Sequence, residues 1–255
     1  MTRSLNVYAL PRFVTPKHLA GGPVVVIDVL RASTTIVHAL AAGASQVIPC
    51  LEVEEARARA AELERGQTIL GGERQGLPID GFDLGNSPGE YVPERVAGKT
   101  VVFTTTNGTR AMLLCRSATR VLVGSFLNAQ RIVDAVAPSP TVHLLCAGTR
   151  GQFSRDDILL AGLLVDRLTR DAPDLYQLNA QALTAREDWV AAFPQSALQP
   201  PDPPQLADVL RTTLGGRNLM AIGLDQDILA AAQLDRLPVL PELDPQAWRI
   251  RLARR

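Results

Sequence analysis

Residues 24–35 read VVVIDVLRASTT. An apolar, β-branched run ends at Asp28, a short polar loop follows, and helical spacing of apolar residues begins after it. The same order recurs in residues 101–110, VVFTTTNGTR, and in residues 142–151, VHLLCAGTRG. Strand, loop and helix in repeated order are typical of a parallel sheet covered by helices. The sequence therefore predicts an α/β fold, with a mostly parallel or mixed sheet and helices on both faces.

All three loops contain hydroxyl and arginine residues, and the second and third also contain glycine. At the carboxyl ends of parallel strands, such loops would place several helix N-termini around one crevice. Unpaired N–H groups and the positive end of the helix dipole favour anions there. The loops therefore predict a small, anionic, phosphorylated substrate.

Composition limits the choice of partners. The chain has 255 residues, 46% of them apolar, and a net charge of zero, so no broad basic field exists for nucleic acid or an anionic membrane surface. No apolar run is long enough for a membrane helix, and residues 1–16 lack the apolar core of a signal peptide. We expect a cytoplasmic protein with reduced, buried cysteines at Cys50, Cys115 and Cys146. The sequence leaves open whether it forms a homo-oligomer.

The chain also shows weak internal similarity. Shifted by about 74 residues, the apolar run at 46–50 overlies the run at 120–124, and each follows one helix and precedes another. We predict one α/β catalytic unit over residues 1–255, with duplicated β-loop-α-β-α halves at about 23–97 and 98–172. Residues 173–204 would form a helix and a Pro-rich connection. Residues 205–255 would pack back on the core, with a final strand at residues 227–232.

The first loop offers a metal ligand. Asp28 at the end of a buried strand is well placed to hold Mg²⁺, although it could instead cap the following turn. Arg31 adds a forked donor. Ser33 and Thr34 could contact the ligand or serve as helix N-caps.

The second loop, residues 104–109, is rich in donors. Thr105, Asn107, Thr109 and Arg110 are candidate anion contacts, and Gly108 would let the backbone approach the ligand. Thr104 and Thr106 could simply finish the strand.

Towards the end of the first half, residues 71–91 form a long stretch without clear periodicity, which is typical of a functional loop. Glu73 could bind metal and Arg74 substrate, or both could lie in a solvated turn. Asp83 and Asn86 could also form Asx turns before Pro88.

Familiar catalytic signatures are missing. The chain has no dinucleotide fingerprint and no Walker lysine, since its lysines are Lys17 and Lys99. Six positions after Cys146 stands Gln152 rather than the arginine of a phosphocysteine enzyme, and Leu30 replaces the second Asp of a dehalogenase-type aspartyl phosphatase. Elimination therefore favours a metal-activated water.

Five motifs together resemble the 2-phosphosulfolactate phosphatase family: DVLRASTT at 28–35, GER at 72–74, GFDLGNSP at 81–88, TTTNGTR at 104–110 and CAGT at 146–149. The resemblance covers residues 23–164 and resumes faintly at 215–241. It implies an α/β enzyme that hydrolyses the phosphate ester of 2-phospho-3-sulfolactate with Mg²⁺, a step of coenzyme M synthesis. Two departures stand out: a Ser-Leu-Glu-Asp run appears here as residues 154–157, SRDD, and a histidine-glycine pair appears as Gly215 and Gly216.

Together these observations give one hypothesis with assigned roles. Catalysis would rest on Asp28, Glu73 and Arg110, and the metal would be held by Asp28, Glu73, Asp83 and Asp157. The substrate would be bound by Arg31, Ser33, Thr34, Arg74, Thr105, Asn107, Gly108, Thr109 and Arg150. Two alternatives stay open: a phosphatase or phosphoryl transferase acting on another small phospho-hydroxy acid, and a non-catalytic module that binds a phosphorylated metabolite.

Overall fold

The computed structural model describes residues 2–253, and within them strands and helices alternate along most of the chain. Eleven strands of this part form a mixed sheet: β1 Arg3–Tyr8, β2 Pro23–Ile27, β3 Gln46–Cys50, β4 Thr68–Arg74, β5 Leu77–Pro78, β6 Thr100–Thr104, β7 Arg120–Gly124, β8 Thr141–Cys146, β9 Tyr176–Leu178, β10 Pro241–Asp244 and β11 Arg249–Leu252. The helices are α1 Ala32–Ala41, α2 Val53–Ala61, α3 Pro93–Val96, α4 Gly108–Leu113, α5 Ala129–Val136, α6 Arg155–Thr169, α7 Ala180–Ala192, α8 Pro203–Arg211, α9 Leu214–Ala221 and α10 Asp225–Ala231. The predicted α/β fold class is confirmed.

The sheet consists of two parallel blocks joined by an antiparallel hairpin. Its strand order is β5-β4-β6-β3-β11-β10-β7-β2-β8-β1-β9. Strands β4, β6 and β3 run parallel in one block, and β7, β2, β8, β1 and β9 run parallel in the other. The hairpin β10–β11 pairs antiparallel with β7 on one side and with β3 on the other.

Each block contains one interior strand from the predicted half that supplies the other block. Strand β2, from residues 23–97, lies between β7 and β8, whereas β6, from residues 98–172, lies between β4 and β3. The two halves are therefore interlocked in one sheet. The duplication itself stays a prediction.

The sheet must curve strongly. In a flat sheet, the five strand spacings from β2 to β6 would span roughly 24 Å. Yet Gly108, which begins α4 just after β6, packs against the loop after β2. A Cβ built on Gly108 would lie 3.1 Å from the Asp28 Oδ2 atom and 3.1 Å from the Ala32 Cβ atom. The curvature brings the ends of β2 and β6 together.

Apolar side chains on both faces of the sheet explain why its central strands are continuous hydrophobic runs. All five residues of β2 are buried, with alternate side chains in two separate clusters. One cluster contains Val25 and Ile27 with α5, α6 and α7, and the other contains Val24 and Val26 with α1 and α4. This double coverage is the arrangement expected of a buried parallel sheet.

Two expectations about local structure need correction. Residues 227–232 belong largely to helix α10 rather than to a final strand, because Ile228 and Ala231, three residues apart, face the core together. Residues 71–74 are not loop but the end of β4, where backbone pairing with β6 overrides the weak strand preference of two glycines. The expected helix after residue 173 is present as α7.

Within residues 2–253, no helix combines the length and the apolar character needed to cross a membrane.

Candidate functional site

A cavity of about 90 Å³ lies at the carboxyl ends of the parallel strands. Its walls come from the loops after β2, β4, β6 and β8, from the segment around Asn86, and from α9. Six of the predicted site residues line it: Asp28, Arg31, Glu73, Thr105, Asn107 and Arg150. The two parallel blocks thus contribute to one small site.

Asp28 is held by its own loop and keeps one carboxylate oxygen free. Its Oδ1 accepts a hydrogen bond from the Ala32 backbone N–H at 3.2 Å, while its backbone N–H donates to Ser33 Oγ at 2.9 Å. No hydrogen bond between described residues reaches Oδ2. Burial raises the pKa of Asp28 to about 7 against the opposing Ala32 bond, and the negative charges of Asp156 and Glu73 add to the rise. A nearby cation would stabilise the ionised form.

Glu73 ties the loop after β6 to the turn after β4. Its Oε1 accepts from the Thr106 N–H at 2.9 Å and from the Thr106 hydroxyl at 2.8 Å, and its Oε2 accepts from the Gly76 N–H at 2.6 Å. These bonds fix the carboxylate in the wall of the cavity. A carboxylate has about four lone-pair positions, two on each oxygen, so Oε2 can still accept one further contact.

Arg31 is anchored by the C-terminal part of the chain. Its Nη1 lies 2.7 Å from Asp227 Oδ2 in α10, its Nη2 donates to the Gly76 carbonyl at 2.7 Å, and both Arg31 and Asp227 are buried. Ser87 also donates to Asp227 Oδ2, at 2.8 Å. The guanidinium is therefore fixed in one orientation at the cavity wall.

Two buried acids at the start of α6 organise the loops rather than line the cavity. Asp157 accepts from the Val29 N–H at 2.8 Å and from the Gly148 N–H at 3.0 Å, which joins the loops after β2 and β8. Asp156 accepts from the Ser154 hydroxyl at 2.7 Å. Burial raises the pKa of both carboxyl groups, and for Asp157 the neighbouring charges of Asp156 and Asp28 add to it. Their place at a helix N-terminus offsets part of this cost.

Several predicted contacts lie outside the cavity because their side chains maintain the loops. The Ser33 hydroxyl donates to the Asp28 carbonyl and the Thr34 hydroxyl to the Val29 carbonyl, each at 2.7 Å. Thr109 is buried in α4, and Gly108 packs against Asp28 without lining the cavity. The Ser33 and Thr34 hydroxyls therefore bond within their own loop, and neither caps α1 from outside the helix.

Three charged residues also lie away from the cavity. Arg74 donates to the Leu51 carbonyl and to Thr104 Oγ1 at 2.8 and 2.9 Å, behind the end of β6. The exposed Asp83 accepts from the Leu70 N–H at 2.8 Å and so pins the edge of β4. Arg110 is exposed on α4, where the helical turn directs its side chain away from the cavity. Like Asp157, none of these three residues lines the cavity.

The sequence reasoning missed several wall residues. Thr106, which from the sequence could simply finish the strand, lines the cavity and bonds to Glu73. Asn86 lines the cavity, and its buried Oδ1 has no hydrogen-bond partner among the described residues. Gly215 and Asn218 arrive from α9. The GFDLGNSP motif around Asn86 and the family resemblance at Gly215 carried a signal in the sequence, whereas nothing indicated Asn218, because the approach of α9 depends on tertiary packing.

The donor set of the cavity fits Mg²⁺. Among residues 2–253, no three His, Cys, Asp or Glu side chains converge closely enough to form a metal cage. Mg²⁺, however, commonly takes one or two carboxylates and completes its octahedron with waters and substrate phosphate oxygens. Asp28, Glu73 and the unpartnered amide oxygen of Asn86 are hard oxygen ligands in the wall of one cavity. These three oxygen donors are consistent with an Mg²⁺ site that is completed by the substrate.

Comparison with known proteins gives one consistent answer. Residues 9–246 match the family model described as 2-phosphosulpholactate phosphatase. A protein of Caldanaerobacter subterraneus subsp. tengcongensis, named probable 2-phosphosulfolactate phosphatase, is 39% identical over 240 residues, which cover 94% of this chain and 95% of the relative. A protein of Symbiobacterium thermophilum with the same name is 42% identical over 227 residues, covering 88% and 92%. The chain belongs to the 2-phosphosulfolactate phosphatase family.

Proposed function

We propose that this protein hydrolyses the phosphate ester of 2-phospho-3-sulfolactate to sulfolactate and phosphate, with Mg²⁺ as cofactor. The observation that carries the proposal is the free Oδ2 atom of Asp28, which shares a small cavity with Glu73, Arg31 and Arg150 in a member of this family. Carboxylates for a cation and guanidinium groups for an anion are the combination that a phosphate ester requires.

The residues of the cavity divide into two groups. Asp28, Glu73 and Asn86 would hold Mg²⁺, which when bound neutralises phosphoryl charge and lowers the pKa of a coordinated water. Arg31 is held rigidly by Asp227 and supplies a fixed positive charge. Arg150, exposed and attached to the wall through its backbone N–H bond to Asn107 Oδ1 at 3.2 Å, can adjust to the substrate.

The backbone adds donors that side chains alone would not provide. The loop after β6 leads into α4 and the loop after β2 leads into α1, so two helix N-termini approach the cavity from opposite blocks of the sheet. Together with the Thr105 side chain, they favour an anion with several oxygens. A three-carbon substrate that carries a phosphate, a carboxylate and a sulfonate meets this demand.

The test is phosphate release from 2-phospho-3-sulfolactate, measured beside phospholactate and phosphoglycerate. We expect the highest kcat/KM for 2-phospho-3-sulfolactate. Chelation of divalent ions should abolish turnover, and addition of Mg²⁺ should restore it. Full activity after chelation would refute the metal requirement. Equal kcat/KM for all three esters would instead favour a broader phosphatase, and tight binding without phosphate release would favour a binding module.

A further inference from the structure

Two of the residues that line the cavity lie at the tips of two-residue turns. Gln75 precedes Gly76 in the turn between β4 and β5, and Arg150 precedes Gly151 in the turn after β8. Strands β4 and β8 belong to different parallel blocks of the sheet. Each block therefore presents one polar turn tip to the cavity.

Both tips have a backbone conformation that disfavours their side chains. The φ angle is 56° at Gln75 and 53° at Arg150, so both residues are left-handed. Turns of this kind favour asparagine or glycine, because a longer side chain at positive φ costs free energy. Two other non-glycine residues within 2–253 have positive φ, Asp235 and Trp248, and their side chains form hydrogen bonds with backbone groups. At a cavity, an unfavourable conformation of this kind points to a function of the side chain.

The side chains at the two tips are free, although the backbone is fixed. Thr149 and Gln152 exchange N–H to carbonyl bonds of 2.9 and 3.0 Å around the tip at Arg150. The Arg150 N–H donates to Asn107 Oδ1, whereas its guanidinium forms no hydrogen bond or ion pair with residues 2–253. The Gln75 amide has no partner in this part of the chain either. Both tips therefore offer unused donors from defined positions.

Burial separates these tips from the groups assigned to the reaction. Asp28, Arg31 and Glu73 are only 7%, 5% and 7% exposed, whereas Gln75 and Arg150 are exposed. Arg31 is also paired with a carboxylate, so Arg150 is the lining arginine without such a partner among the described residues. The buried groups thus form the base of the cavity, where the phosphate and the metal would bind. The two tips lie at its mouth, where the rest of the substrate would extend.

We propose that Gln75 and Arg150 form the subsite for the sulfonate group of the substrate and so determine specificity. This inference rests on the proposed function. A sulfonate has three oxygens that point in different directions, which suits a guanidinium from one side and an amide from the other. A carboxylate is planar, and the fork of one guanidinium satisfies it without a second donor.

The kinetic test compares 2-phospho-3-sulfolactate with 2-phospholactate, which carries a methyl group in place of the sulfomethyl group. We expect Arg150→Asn to lower the ratio of the two kcat/KM values by at least about tenfold, through a higher KM for the sulfonated ester. Gln75→Gly should lower the same ratio by about threefold or more, the effect of one lost neutral hydrogen bond. An equal loss for both esters would assign the side chains to the phosphate or the carboxylate and overturn the subsite, as would an unchanged ratio.

Stability separates recognition from folding in the same variant. Asparagine suits the left-handed position before Gly151, so Arg150→Asn should keep or raise the midpoint of urea unfolding while selectivity is lost. Arg131→Gln is the matched control, because Arg131 is an exposed arginine of α5 outside the cavity. It should change neither the ratio nor the midpoint. A lower midpoint in Arg150→Asn would show that the arginine supports the fold and would contradict its assignment to the substrate.

Binding measured without turnover separates this subsite from the proposed reaction. By calorimetry in the presence of Mg²⁺, 3-sulfolactate should bind at least about tenfold more tightly than lactate, and Arg150→Asn should remove the difference. Preferential binding of sulfolactate by a protein that releases no phosphate would refute the hydrolysis and support the subsite. Phosphate release together with equal binding of sulfolactate and lactate would overturn the subsite and leave the hydrolysis standing.

Discussion

Asp28 shows how a single residue can stabilise a loop and still present a free ligand atom. One carboxylate oxygen receives the Ala32 N–H, and the other faces the cavity beside Gly108. The position after a buried strand predicted this residue correctly as a cavity residue, because strand ends in parallel sheets share one edge. The same rule could not tell which neighbouring hydroxyls would turn back on the backbone, since Ser33 and Thr34 bond to carbonyls of their own loop.

Substituting Asp28 should separate catalysis from folding. For Asp28→Asn we expect phosphate release to fall by more than roughly 100-fold, the range that even outer partners of metal sites reach, with little change in the unfolding midpoint. Asp83→Asn is the matched control, because Asp83 is exposed and lies outside the cavity. Its activity should stay within about threefold of the unchanged protein. Loss of activity in Asp83→Asn alone would reverse this assignment.

The cysteines allow a prediction about reactivity. Burial raises the pKa of Cys50 and of Cys115 to about 12, and it also raises that of Cys146. Because the thiolate is the reactive form, a raised pKa keeps these groups protonated and inert at pH 8. We expect no reaction of the folded protein with a thiol-specific disulfide reagent at pH 8, and three equivalents after unfolding in guanidinium. Rapid labelling of the native protein would show that a cysteine is accessible.

Helices α6 and α7 pack so closely at Gly162 that a larger residue would not fit between them. A Cβ built on Gly162 would lie 2.0 Å from the Ala185 carbonyl oxygen, a distance that backbone atoms cannot accommodate. The sequence predicted a helix within residues 173–204, but it contained no information on which face of α6 would receive that helix. The contact between the two helices is a tertiary property.

Gly162→Ala should therefore destabilise the fold. We expect a loss of about 1–3 kcal/mol or more in the free energy of unfolding, measured by urea denaturation, because the helices must separate to admit the methyl group. Gly89→Ala is the control, since a Cβ there meets no atom within 4 Å. Its stability should equal that of the unchanged protein or rise slightly. Equal stability of the two variants would contradict the close packing.

Helix α10 illustrates why an element can be misjudged from sequence. Residues 227–232 are short and apolar enough to suggest a strand, yet they fold as helix, with Asp227 reaching Arg31 at the cavity. The intrinsic helix or strand propensity of a short segment is weak, so its tertiary contacts determine its conformation. Asn218 of the preceding helix α9 also lines the cavity, which no local pattern indicated.

At the scale of the whole molecule, the α/β class and the gathering of loops could be predicted, but the strand order could not. Repeated strand-loop-helix units predict parallel strands, but they do not predict the order of those strands in the sheet. In the structure β2 lies beside β7 and β8, whereas β6 lies between β4 and β3. The role of the hairpin β10–β11 was also not evident, because its strands are short and lie far along the chain from those they pair with.

The hairpin should be essential for stability although it lies away from the cavity. Ile250 is fully buried where β11 pairs with β3, while its neighbour Arg249 is exposed. We expect Ile250→Asn to lower the free energy of unfolding by about 2–5 kcal/mol, since it removes apolar packing and buries an unpaired amide. Arg249→Asn introduces the same side chain on the exposed face and should cost at most about 0.5 kcal/mol. Chemical denaturation of both variants makes the comparison, and similar losses would contradict the role of β11.

The same hairpin has a consequence for how the chain is made. Residues 241–252 leave the ribosome after every strand of both parallel blocks, so β3 and β7 remain as open edges until then. Unpaired edges are templates for association with other chains. During synthesis the nascent protein therefore passes through a stage at which its blocks can pair with those of a neighbour, and chaperone demand should be greatest just before this segment emerges.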